Sequence, residues 1–205
     1  RRSEDNTVPQ WLAVVGIVLV LVLIVAMGHS YMMPSLPAWD TVLQLLSLLG
    51  AACVMGPATV AFIGAARGIE IEGIGLLAVI GAAVNAVLSA AYMFAMEASS
   101  ATFQSFQYYF DPTLPDVAMR QSEQITGAIL AGEHAVAFWL GNVVVGCAVP
   151  AVLAALVMCG KVPAEKALAV AVIALVCAVI GTIVWRVLLY EVAVNALIQF
   201  QWALQ

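Results

Sequence analysis

Five stretches of this chain contain no aspartate, glutamate, lysine or arginine: 11–28, 41–66, 73–96, 135–160 and 167–185. Each is about as long as the roughly 20 residues that an α-helix needs to cross ~30 Å of hydrocarbon. They are apolar on every face. A barrel is excluded, because its strands would alternate apolar and polar residues over about ten positions. Proline, glycine and charge clusters separate the runs, and chain reversal is easy there. The expectation is an all-α integral membrane protein, a five-transmembrane-helix bundle. Its helices fall at about 11–33, 41–66, 73–96, 135–160 and 167–190, in a single membrane domain over 1–205.

Composition narrows the function classes. Hydrophobic residues make up 64% of the chain and charged residues 9%, against about a quarter charged in a soluble domain. Mean hydropathy is +1.07. A water-facing surface cannot be clothed with so few charges, so a soluble enzyme is excluded and the lipid membrane is the first partner. The formal net charge is −5. Nucleic acid is no partner for such a chain, since binding it takes a clustered basic face.

The run from Trp11 is longer than the apolar core of a signal peptide and leads into Gly28-His29-Ser30 without a small-residue cleavage site. The first residue is Arg1, so a fragment lacking N-terminal helices is expected. Arg1, Arg2, Arg67, Lys161 and Lys166 fall on one side of a five-helix layout, and Arg120 on the other. The positive-inside rule makes the first side cytoplasmic. The N-terminus is then cytoplasmic, the C-terminus outside, and the segment 97–134 outside.

That outer segment is more than a linker. Phe103, Phe106 and Phe110 recur at helical spacing beside Tyr108 and Tyr109, and 117–130 is amphipathic. It reads either as an interfacial helix lying on the membrane or as a docking surface for an extrinsic subunit.

Cys53, Cys147, Cys159 and Cys177 lie in apolar runs without a C-x-x-C pair. They read as small buried side chains, and neither zinc nor iron–sulfur ligation is expected. The two histidines, His29 and His134, sit at helix ends, so no haem is expected. Pro57 and Pro150 are expected to kink their helices. The polar residues within spans are Gln44, Ser47, Thr59, Asn85, Ser89, Asn142, Thr182 and Arg186. Amides and hydroxyls in such places bond neighbouring helices, and Ala82, Ala86 and Ala90 form a small-residue stripe. Arg186 either snorkels to the interface or faces a partner or polar cavity.

His29, Tyr31, Trp39, Asp40, Tyr92, Glu97, Glu133, His134, Arg186, Tyr190 and Glu191 all fall at the outer helix ends. Quinol oxidation releases two protons and two electrons, so it needs such a layer of polar groups and aromatic or apolar walls for the ring. The same residues also fit an aromatic belt with solvated charges.

The order Tyr31-Met-Met-Pro34-Ser-Leu-Pro37-Ala-Trp39, then Gly56-Pro57, then Gly181-Thr-Ile-Val-Trp-Arg186-Val-Leu-Leu-Tyr190 resembles the membrane-anchor subunit of dimethyl sulfoxide reductase. More distantly it resembles polysulfide-reductase-type anchors. The likeness spans essentially the whole chain, set against the last five of the family's eight helices. It implies an anchor in the inner (cytoplasmic) membrane that binds and oxidises menaquinol. The electrons pass to an iron–sulfur subunit and on to a molybdopterin catalytic subunit. The anchor itself holds no haem or metal and is not catalytic. The implied quinol-facing residues are His29, Tyr31, Trp39, Arg186 and Tyr190. The chain departs from the family where Thr182 replaces an acid and His29 an arginine, and the family's quinol-linked histidine has no counterpart here. A small transporter component, with polar or broken-helix elements such as Asn85, Asn142 and the two prolines near the midplane, and a structural membrane scaffold stay open beside it.

Overall fold

The computed structural model describes residues 9–32, 39–69, 71–98, 102–103 and 120–203, with side chains placed for these except 102–103, 120–125 and 191–203. Helix α1 is Gln10–Tyr31, α2 Val42–Arg67 and α3 Ile74–Ala98. A two-residue antiparallel pairing joins Thr102–Phe103 to Arg120–Gln121. Helix α4 follows at Ser122–Leu130. Helix α5, Ala137–Met158, is π-wound over Ala137–Ala148 and α-wound from Val149. A 3-10 turn at Ala164–Lys166 leads into α6, Ala167–Ala203. Five of these helices are long and apolar enough to cross a membrane, so the all-α, five-span reading holds.

Local chemistry sets the ends. The Thr41 hydroxyl accepts from the Leu43 N–H at 3.3 Å and caps α2. Gly68 closes α2 in the left-handed region, φ 64°, and its N–H bonds the Ala65 and Gly64 carbonyls. The last helix runs past the expected end at 190 to Ala203. No glycine or proline follows Tyr190, so nothing stops the hydrogen-bond ladder from propagating. The first helix ends at Tyr31 rather than 33.

Helices α2, α3, α5 and α6 make the core, and α1 lies along α2. Almost all of α1 is exposed, as suits a helix solvated by lipid. Its one buried residue is Gly28, where the chain comes close to Leu45 of α2. Helix α3 buries Ala78, Gly81, Ala82, Asn85, Ser89, Tyr92, Met93 and Met96, a stripe at three- and four-residue steps.

Two glycine crossings hold the core together. Gly81 of α3 lies against the Cys53 carbonyl of α2. Pro57, four residues on, has no N–H to offer that carbonyl, which leaves room for the approach. Gly146 of α5 meets Gly181 of α6, and Pro150 again stands four residues after the contact. There the ladder shifts register, and the Val149 N–H bonds the Val144 carbonyl, five residues back. The Ala82, Ala86, Ala90 stripe is not where the helices come closest. Ala82 is buried and Ala86 packs beside it, but the tightest contacts fall on glycines.

Three further expectations change. The hydroxyls mostly bond their own helix, with Ser47 to the Gln44 carbonyl, Thr59 to Met55, Ser89 to Asn85 and Thr182 to Ala178. A short side chain reaches its own preceding turn before it reaches another helix. Cys159 is exposed at the end of α5, while Cys147 is buried and Cys53 and Cys177 are half-buried. Helix α4 does not simply lie on lipid, since its Thr126 and Ile129 are buried and Ile129 joins the core. Phe106, Tyr108, Tyr109 and Phe110 lie outside the described residues.

Candidate functional site

The core divides into two unlike halves. Towards the Lys161 end it is built from small groups, Val54, Ala58, Ala82, Cys147 and Ala178. Towards the Trp39 end it is built from large ones, Trp39, Tyr92, Met93, Met96, Ile129, Phe138, Trp185, Leu188 and Leu189. The reason is geometric. The glycine crossings draw the helices together where the small groups sit, and bulky side chains fill the core towards the Trp39 end.

At the Trp39 end three of the expected site residues meet. The Tyr31 and Trp39 rings stand 5.6 Å apart and the Trp39 and Tyr190 rings 5.1 Å, both edge to face at 78°. The Trp39 indole donates to the Leu189 carbonyl at 3.0 Å across 150 residues of sequence. This bond pins the connection between α1 and α2 to α6. Tyr31 and Tyr190 thus both lie against the Trp39 ring. Arg186, half-buried one turn before Tyr190, lies close enough to the hydroxyls of Tyr31, Tyr190 and Tyr92 to interact with them electrostatically. Four of the five residues named from the sequence therefore form one group.

His29 is the one left out. It precedes Tyr31 by two positions, about 200° around the helix. With Tyr31 turned towards Trp39, His29 stands exposed on the other side of α1. His134 pairs with Glu133 at 3.5 Å on the surface. Asp40 and Glu97 are exposed.

Sequence reasoning passed over the floor of this group. Trp185 is buried, with its ring 5.7 Å from that of Tyr92 and 6.1 Å from that of Phe138. Its adjacency to Arg186 was the available signal. Phe138 is fully buried and its ring lies 4.9 Å from that of Trp139, whose indole donates to the Leu130 carbonyl at 2.8 Å. That bond ties α4 to α5.

Chemically the group is rich in donors. Arg186 offers five N–H donors in a planar fork and accepts nothing. The phenols can donate or accept. Such a set suits an oxygen-bearing ring that slides between aromatic walls, or an anion at the interface. Among the described residues no three of His, Cys, Asp or Glu converge in a way that could hold a metal ion. The chain matches no protein-family model, no curated protein and no solved structure.

Proposed function

We propose that this chain is the membrane-anchor subunit of an anaerobic respiratory molybdoenzyme of the dimethyl sulfoxide reductase type. In this reading it lies in the cytoplasmic membrane, with the N-terminus in the cytoplasm and the Trp39 end outside. The grouping of Tyr31, Trp39 and Tyr190 around the half-buried cation of Arg186 carries the reading. A permanent cation within a span is costly unless it faces a partner or a polar cavity. Arg186 holds an oxygen of the menaquinol ring, and Trp39 and the two tyrosines form its walls. Menaquinol is the substrate. Its two electrons leave for an iron–sulfur subunit that docks on the segment 97–134, and then reach a molybdopterin catalytic subunit. Its two protons go to water at the exposed rim beside Tyr190.

The test is menaquinol-analogue oxidation by the assembled complex, with subunit association checked by co-purification. Arg186→Gln and Arg186→Lys should both lose turnover while assembly persists, because lysine lacks the planar fork. Unchanged turnover in both variants removes Arg186 from the site and refutes the proposal. Substrate uptake by the chain reconstituted alone would favour the transporter reading instead. Assembly defects alone, without loss of turnover per complex, would favour a scaffold.

A further inference from the structure

Beneath the aromatic group lies a layer that packing alone does not explain. Asn142 is 0% exposed, Gln44 1% and Trp185 1%. Both amide atoms of Asn142, the Gln44 Oε1 and the Trp185 Nε1 find no hydrogen-bond partner among the described protein groups. Burial of such groups without partners is unfavourable, and native proteins rarely tolerate several together.

The helix register puts these groups in one layer. Gly50 lies by Asn85 and Gly81 by Cys53, so α2 and α3 run antiparallel and Gln44 comes level with Tyr92. Gly146 lies by Gly181 and Gly141 by Val184, which brings Asn142 level with Trp185. The edge-to-face contact of Tyr92 with Trp185 joins the two levels. The layer has a floor. Towards mid-span, Asn85 donates to the Cys147 sulfur at 3.3 Å, and beyond it the glycine crossings and small apolar residues close the core.

We propose that this layer binds water inside the four-helix core, held by Asn142, Gln44 and Trp185. The chemistry selects the ligand. A cation would leave the Asn142 and Trp185 N–H groups unanswered. An anion would leave the Gln44 and Asn142 oxygens unanswered. Turning the Asn142 amide over changes nothing, since both of its ends are unpartnered. Only a ligand that both donates and accepts serves all four atoms. It must also be small, because Tyr92, Phe138 and Trp185 already fill the layer with rings. Water meets both conditions and takes two to four such partners.

The proposal does not depend on quinol binding, and its test uses no quinone. Radiolytic hydroxyl-radical footprinting of the purified protein in lipid nanodiscs reads water held next to a side chain, even a buried one. The expected result is modification of Trp185 at a rate approaching that of Trp139, which is 43% exposed. Asn142→Leu and Gln44→Leu should each lower the Trp185 rate and leave the Trp139 rate unchanged. A wild-type Trp185 rate at the level of a dry buried ring overturns the proposal, whatever the variants do. So does a Trp185 rate that both variants leave unaltered.

Discussion

Gly146→Ala tests the idea that backbone contact at mid-span holds the two halves of the core in place. A Cβ built at 146 stands 2.6 Å from the Gly181 Cα and 3.5 Å from the Gly141 carbonyl oxygen. Carbon atoms pack best at about 3.5–4.0 Å, so α5 and α6 must part by about 1 Å at the crossing. The opposing atom is backbone, and no rotamer change relieves the overlap. Overpacking of this kind costs about 1–3 kcal/mol. A loss of about 2 kcal/mol lowers the folded-to-unfolded ratio roughly 30-fold. Gly16→Ala is the control. Nothing lies within 4 Å of its added Cβ, and alanine is the better helix former by up to about 1 kcal/mol. The assay is equilibrium unfolding in mixed micelles by dodecyl sulfate titration, followed by helical circular dichroism. Gly146→Ala should shift to lower denaturant and Gly16→Ala should not. Equal midpoints for the two variants would refute the claim that this crossing organises the bundle. Trp185 lies one turn beyond Gly181, so the same separation would also loosen the floor under Arg186.

Trp39→Phe keeps a ring against Tyr31 and Tyr190 but removes the indole donor to Leu189, so a stability loss of about 1 kcal/mol is expected in the same titration; no loss would mean that the α1–α2 connection is not anchored through this bond. In the native protein Cys159 should react with a membrane-impermeant maleimide from the side that carries Lys161 and Lys166, while Cys147 reacts only after unfolding. With the native cysteines replaced, single cysteines at Ser99 and Ala164 should label from opposite sides, and labelling of both from one side refutes the five-span topology.

The sequence by itself determined the solvent and the helix count. Charge-free runs of membrane length can satisfy their backbone groups only as helices in lipid, and that argument uses no neighbour. It also determined which residues share an end of the bundle, because span boundaries fix depth: Tyr31, Trp39, Arg186 and Tyr190 were legible as one layer. Depth says nothing about azimuth. His29 sits at the same depth as Tyr31, yet the two point about 200° apart, and only the seating of α1 on α2 through Gly28 decided which faces Trp39. The crossings were equally hidden, since Gly16 and Gly56 resemble Gly81, Gly146 and Gly181 in sequence but have nothing against them. Likewise Asn142 reads as any polar residue in a span. Its burial without a partner arises from where α5 and α6 cross, and a crossing is a property of two helices together, which no local pattern encodes.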